Sequence, residues 1–329
     1  MRTGTGKGRT MPEAHLAQRR PLDPGKFQDP DVTAKGEKRA VVALTRLKTL
    51  WFNTGSLCNI TCHNCYMDSS PVNDRLAYIT AAEVAQYLDE VEREGLPVEE
   101  IAFTGGEPFM NRDLPAMVEE SLSRGYRALV LTNAMKPLWN KRATLLAIKE
   151  RHGGALTLRV SIDHHTREKH EAVRGALTWE PMLEGLKWLA GNGFTLAVAG
   201  RTCWGESDAD ARRGYSALFA EHGIPVDARD STVLVLFPEM DERRDVPEIT
   251  VSCWEILGVA PETIMCATSR MVLKRKGAER PVVVPCTLLP YDPQFELGND
   301  LADSATTVKL NHPHCATFCV LGGGSCTAG

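Results

Sequence analysis

The chain has 329 residues, a formal charge of −4, 43% hydrophobic and 24% charged residues, and ten cysteines. That is enough for one large domain or one and a half ordinary ones, and the near-neutral charge argues against a general polyanion binder such as a nucleic-acid protein. No apolar run approaches the roughly 18 residues of a membrane span, and the basic N-terminus lacks the apolar stretch of a secretory signal. The expectation is therefore a cytoplasmic protein, with no membrane and no nucleic acid among its partners, whose cysteines serve metal or redox chemistry rather than disulfides.

Residues 1 to 40 are rich in Gly, Pro, Lys, Arg and Asp without apolar periodicity, and read as a disordered arm. From Leu47 the pattern becomes regular. Leu47–Thr54 reads as a strand. Thr80-Ala-Ala-Glu83 is a capping box opening an amphipathic helix that ends near Gly95. Strands follow at Glu100–Thr104, Arg127–Thr132, Leu156–Ile162, Thr195–Gly200 and Thr232–Phe237. Helices fall between them at Leu114–Arg124, Lys141–Arg151, Pro181–Ala190 and Ala209–Glu221. Most of the six strands are apolar along their length, as strands covered on both faces of a parallel sheet must be. The expected core, residues 41–246, is an α/β fold: a partial (β/α)6 TIM-like barrel, shorter than a complete (β/α)8 barrel. Residues 247–329 lose the alternation, hold six of the ten cysteines, and read as a small extension stabilised by something other than an apolar core.

Cys58-x3-Cys62-x2-Cys65 places three thiols directly after the first strand, at the end of a barrel-like sheet where active sites are built. Such thiolates suit zinc or an iron–sulfur cluster. Three local ligands leave a metal position open for substrate, whereas a structural zinc site wants four. Four further segments follow at successive strand ends: Gly105-Gly106-Glu107-Pro108, Thr132-Asn133, Ser161-Ile-Asp163 with Arg174-Gly175 beyond it, and Arg201. Two glycines let a backbone approach a ligand closely, and a glutamate can accept bonds from an ammonium.

In this order the motifs resemble the radical S-adenosylmethionine (radical SAM) superfamily. The resemblance covers about residues 47 to 326. It implies a [4Fe–4S] cluster on Cys58, Cys62 and Cys65, and SAM bound by Gly105, Gly106, Glu107, Pro108, Asn133, Ser161, Asp163 and Arg201. Three positions depart from the family pattern. Asn64 stands where an aromatic or His precedes the last cysteine, Ala134 replaces the glycine after Thr132-Asn133, and His164 replaces the glycine after Asp163.

The C-terminal cysteines resemble the SPASM/twitch extension of such enzymes, with Cys266 and Cys286 around a glycine-bearing hairpin, then Cys315, Cys319 and Cys326. The fuller version, with two clusters, needs more cysteines than the six from Cys253 to Cys326. The resemblance thus implies one auxiliary [4Fe–4S] cluster on Cys266, Cys286, Cys315 and Cys319, with Cys326 competing as a ligand. A zinc site built from the same thiols is the alternative. Cys203 and Cys253, each beside a Trp, read as buried packing cysteines. The implied activity is reductive cleavage of SAM to a 5′-deoxyadenosyl radical that abstracts hydrogen from a peptide or small molecule. The auxiliary cluster would assist electron transfer or bind substrate, and a flavodoxin or ferredoxin would act as donor. Two rivals stand beside it. A molybdopterin-precursor cyclase carries paired clusters with a Cys-x2-Cys…Cys arrangement that these spacings do not match. A non-catalytic zinc or iron–sulfur scaffold would have no reason to place Gly-Gly-Glu-Pro on the second strand.

Overall fold

The structure is a computed structural model that describes residues 20–323. Its strands are β1 (Val41–Val42), β2 (Thr49–Asn53), β3 (Glu100–Thr104), β4 (Arg127–Thr132), β5 (Leu156–Ser161), β6 (Thr195–Arg201), β7 (Leu234–Phe237), β8 (Ser269–Leu273), β9 (Val282–Val284) and β10 (Val308–Lys309). The helices are α1 (Ala81–Arg93), α2 (Leu114–Ser123), α3 (Lys136–Trp139), α4 (Arg142–His152), α5 (Arg167–Arg174), α6 (Trp179–Gly191), α7 (Asp208–His222) and α8 (Cys253–Leu257). The six expected strands are β2 to β7, parallel neighbours in chain order. No pairing among the described residues closes the sheet into a barrel; it runs β7-β6-β5-β4-β3-β2-β8-β9. No helix of the described residues is long and apolar enough to cross a membrane.

Burial on both faces explains the continuous apolar strands. On β2, Leu50 and Phe52 join the core against the helices, where α1, opened by the Thr80/Glu83 capping box, contributes Val84, Leu88 and Val91. Trp51 points the other way, into a second core with Ala102, Leu129 and Met271 of the sheet. That second core is completed by residues from the cysteine-rich segment, including Cys266, Cys286, Cys315 and Phe318.

The segment from residue 247 extends the core sheet, because β8 pairs in parallel with β2 and carries β9 with it. This covers the edge that β2 would otherwise leave open. The arm ends earlier than residue 40. Glu248 accepts hydrogen bonds from the Phe27 and Ala34 amides and from Arg39, which is buried. Ala40 donates its amide to the Ile249 carbonyl, and β1 pairs with β10. Backbone pairing and one buried ion pair hold this stretch, so apolar periodicity gave no sign of it. Residues 1 to 19 of the expected arm, and Cys326, lie outside the described residues.

Candidate functional site

Cys58, Cys62 and Cys65 lie on the loop leaving β2, and polar clamps hold that loop from several sides. The His63 amide donates to the Val173 carbonyl at 2.7 Å. Arg201 donates to the carbonyls of His63 and Asn64 at 3.4 and 3.3 Å. Asn64 donates its side-chain amide to Glu239 at 2.5 Å. Asn64 also has φ +50°, a left-handed conformation that asparagine tolerates better than most residues. Backbone shape and the Glu239 bond thus explain this departure from the family pattern. Burial pushes the Cys58 thiol up to about 12 and raises that of Cys62, against the pull of Arg174. Such thiols stay protonated until a metal binds them.

The two glycines after β3 line a cavity and also let two loops approach closely within the protein. A Cβ on Gly106 would lie 2.1 Å from the Leu57 carbonyl oxygen, and one on Gly105 would lie 2.6 Å from that of Gly55. They seat the base of the cysteine loop. Glu107 is turned inward. Its carboxylate, 2% exposed, accepts from the Phe109 amide at 3.2 Å, the Thr132 hydroxyl at 2.8 Å and the Asn133 amide at 2.8 Å. All three partners are the protein's own, and Glu107 does not line the neighbouring cavity. Burial drives its pKa up to about 7 against those three donors. A Glu107→Gln variant must set an amide N–H against one of these donors, leaving a buried mismatch of about 1–3 kcal/mol. The expected result is a lower thermal midpoint, read by thermal scanning. Unchanged melting would refute the positioning role.

Asp163, at the end of β5, is also turned inward. It accepts from Arg174 Nε at 2.7 Å and lies 3.4 Å from Arg201 Nε. Burial works to raise its pKa, but Arg174 and Arg201 outweigh it and hold the carboxyl below its ordinary value. Asp163 therefore sets the two arginines, and they, with Ser161 and Asn133, line the cavity. Arg174 was visible in the sequence only as part of the Arg-Gly pair and was not singled out. His164 beside it is buried, with Nδ1 accepting the Thr166 amide at 2.9 Å and Nε2 facing Glu206 at 3.0 Å. His164, His165 and Glu206 group their donor atoms within 4.8 Å. However, the Thr166 contact leaves the His164 proton on Nε2, and Lys169 already pairs with Glu206. The trio is tied into a hydrogen-bonded network with Thr166 and Lys169.

Three linked spaces organise these residues. A cavity of about 100 Å³ is lined by all three loop cysteines, Gly105, Gly106, Pro108, Asn133, Ser161, Arg174 and Arg201. A larger cavity of about 730 Å³ opens from Cys62, Cys65 and Tyr66 towards Asp241, Glu242, Leu288, Leu289 and His314. Leu288, Leu289 and His314 also border a small apolar pocket around Cys266, Cys286, Cys315 and Cys319. Those thiols converge from three places: a turn before β8, the end of β9, and the π-helical turn Cys315–Val320. None of the nine described cysteines is in a disulfide. Four soft donors in one apolar pocket fit an iron–sulfur cluster or zinc, and three donors beside an open cavity fit a cluster with a free position. Burial raises Cys266 to about 11 and Cys315 further still. His312, His314, Glu239 and Glu242, given no role by sequence reasoning, border the large cavity or the cysteine loop. The His-Pro-His run before Cys315 was the available signal. Cys203 and Cys253, expected to be buried, are only half-buried.

An open, mainly parallel α/β sheet carries a thiol triad and a cavity at its strand ends, a donor set that suits a metal cluster. Residues 52–211 match the model of the Radical SAM superfamily. Those residues carry a radical SAM domain, and members of that superfamily are enzymes. Among curated relatives, "Fe-coproporphyrin III synthase" of Methanosarcina barkeri is 29% identical over 137 residues, 41% of this chain and 32% of that protein. "GTP 3′,8-cyclase" of Tolumonas auensis is 28% identical over 150 residues, 45% of this chain and 43% of that protein. The matches thus span less than half the length of these relatives. Among solved structures, Streptococcus suis SuiB bound to S-adenosylmethionine has a TM-score of 0.56 at 11% identity, over 77% of this chain and 63% of that one. The enzyme anSMEcpe with bound AdoMet has a TM-score of 0.53 at 15% identity, over 78% of this chain and 79% of that one. At these identities the likeness is one of fold.

Proposed function

We propose that this enzyme cleaves SAM reductively and uses the resulting radical to abstract hydrogen from a substrate held in the large cavity, peptide in character. One observation carries the reading: that cavity touches Cys62 and Cys65 at one end and the rim of the four-cysteine pocket at the other. Cys58, Cys62 and Cys65 would hold a [4Fe–4S] cluster, which when reduced would supply the one electron that cleaves the SAM sulfonium to methionine and a 5′-deoxyadenosyl radical. In this proposal Arg174 and Arg201, set by Asp163, hold the SAM carboxylate. Gly105, Gly106 and Pro108 shape the amino-group end, and Asn133 and Ser161 meet the rest. The second-core packing beneath the cavity excludes water from the reactive species. Cys266, Cys286, Cys315 and Cys319 would hold one auxiliary cluster, which supports electron transfer or substrate ligation. A flavodoxin or ferredoxin is the proposed donor.

The peptide class draws support from two fold neighbours, SuiB bound to precursor peptide SuiA and anSMEcpe bound to Cp18Cys peptide. A second reading, nucleotide cyclisation, draws support from relatives named GTP 3′,8-cyclase. Anaerobically purified protein should carry about eight irons, four for each cubane. It should release 5′-deoxyadenosine from SAM and dithionite. Stoichiometric zinc in place of iron would refute the proposal, and GTP-dependent deoxyadenosine release would favour the cyclase reading.

A further inference from the structure

Arg270 lies on β8 with its side chain fully buried. Its guanidinium is spread over four backbone carbonyls. Nε donates to Ser304 at 2.9 Å, Nη1 to Cys266 at 2.7 Å and Ser269 at 2.8 Å, and Nη2 to Thr306 at 3.1 Å. Carbonyls satisfy the N–H groups but leave a whole positive charge in the protein interior, because arginine does not deprotonate. Other buried arginines have carboxylates to meet that need. Arg39 pairs with Glu248 at 2.7 Å, Arg174 with Asp163 at 2.7 Å, and Arg159 lies within electrostatic reach of Glu100. Among the described residues no carboxylate forms an ion pair with Arg270. Among the described residues, the Cys266 and Cys286 thiols lie within electrostatic reach of its charge, and its Nη1 holds the Cys266 carbonyl at 2.7 Å. A neutral thiol does not offset a buried cation, and an uncompensated buried charge is strongly unfavourable. The imbalance is removed when those sulfurs are metal-bound thiolates.

We infer that Arg270 is the built-in counter-charge of the C-terminal thiol site. It draws Cys266 and Cys286 into binding a metal centre as thiolates, and it raises that centre's reduction potential. This rests on the proposed auxiliary iron–sulfur cluster. Each electron added to the centre adds one negative charge, which a fixed neighbouring cation stabilises. The low dielectric around Arg270 leaves that attraction poorly screened. Placement on β8 makes the cation part of the main sheet, so it cannot swing away as the centre changes charge. Arg270 is thus a positioning and tuning residue, not a catalytic one.

The test is a dithionite redox titration of the full, anaerobically purified chain, followed by electron paramagnetic resonance of both centres, with Arg270→Gln and Arg270→Lys. In Arg270→Gln the auxiliary centre should be at least tenfold less reduced at the wild-type midpoint, a fall of 59 mV for one electron. The centre on Cys58, Cys62 and Cys65 should keep its potential and act as the internal control. Arg270→Lys keeps the charge but loses the fork of hydrogen bonds, and should retain most of the potential. If Arg270→Gln loads no auxiliary iron while Arg270→Lys does, charge is again the cause. Equal potentials in wild type and Arg270→Gln would overturn the inference, as would equal losses in both variants, which would mark a purely structural role. A wild-type chain with a single iron–sulfur signal would instead overturn the auxiliary cluster itself.

Discussion

Replacing Cys58, Cys62 and Cys65 together by alanine should remove about four irons per chain, abolish 5′-deoxyadenosine release, and leave the fold intact. The physical ground is that the loop does not depend on its thiols for shape. Its clamps are the Val173 carbonyl, Arg201 and Glu239, acting on the backbone of His63 and Asn64 and on the Asn64 side chain. The Cys58 amide is separately bonded to the Ser70 carbonyl. Thiol removal therefore changes the donor set while leaving the loop anchored, and the thermal midpoint should move by only a few degrees. Iron counting and deoxyadenosine chromatography read the loss, and thermal scanning reads the fold. The companion variant, Cys266→Ala with Cys315→Ala, should show the opposite division, with the first centre loaded and SAM cleavage retained. Deoxyadenosine at wild-type levels from the first variant would refute the assignment of the triad.

The two sites differ in how far they could be read from sequence. The strand alternation was legible because strands buried on both faces become continuous apolar runs. β3 and β4 fall on their expected bounds, and the other strands of the core differ by a few residues at the ends. The cysteine triad and the glycine pair were legible because local spacing carries them. What the glycines and acids do was less so. Gly105 and Gly106 line the cavity, and the atoms a Cβ on either would strike belong to the neighbouring loop, a packing role that no local pattern shows. Glu107 and Asp163 both place carboxylate oxygens on partners inside the protein. A residue type announces that a carboxylate is needed, but which way it faces depends on partners distant in sequence. The α5 helix was missed because its sequence is mostly charged and only His170 and Val173 are buried. The pairing of β8 with β2 joins residues more than two hundred positions apart, and no local pattern encodes it.

Asp163→Asn should be among the most destabilising single changes in the core, by about 3–5 kcal/mol. The side chain is 6% exposed and stands between Arg174 and Arg201, whose own side chains are 11% and 12% exposed. Asparagine keeps the shape but offers no charge, so two guanidinium groups are left facing each other across a neutral amide. Burial alone would raise the carboxyl's pKa, and its depression in spite of burial shows that the arginines win. The folded state therefore holds the Asp163 proton less tightly than the unfolded chain does. Its contribution is fully present above the ordinary carboxyl value of 3.8 and is lost as pH falls towards the lower folded value. Urea unfolding of metal-free protein keeps acid loss of iron out of the measurement. Wild type and variant should differ fully down to about the ordinary carboxyl value of 3.8 and converge only as the pH falls below it. An Arg201→Met variant should cost less, because Asp163 keeps its shorter contact to Arg174. A gap between wild type and Asp163→Asn that is small at neutral pH, or that widens on acidification, would show that the arginines do not depend on this carboxylate.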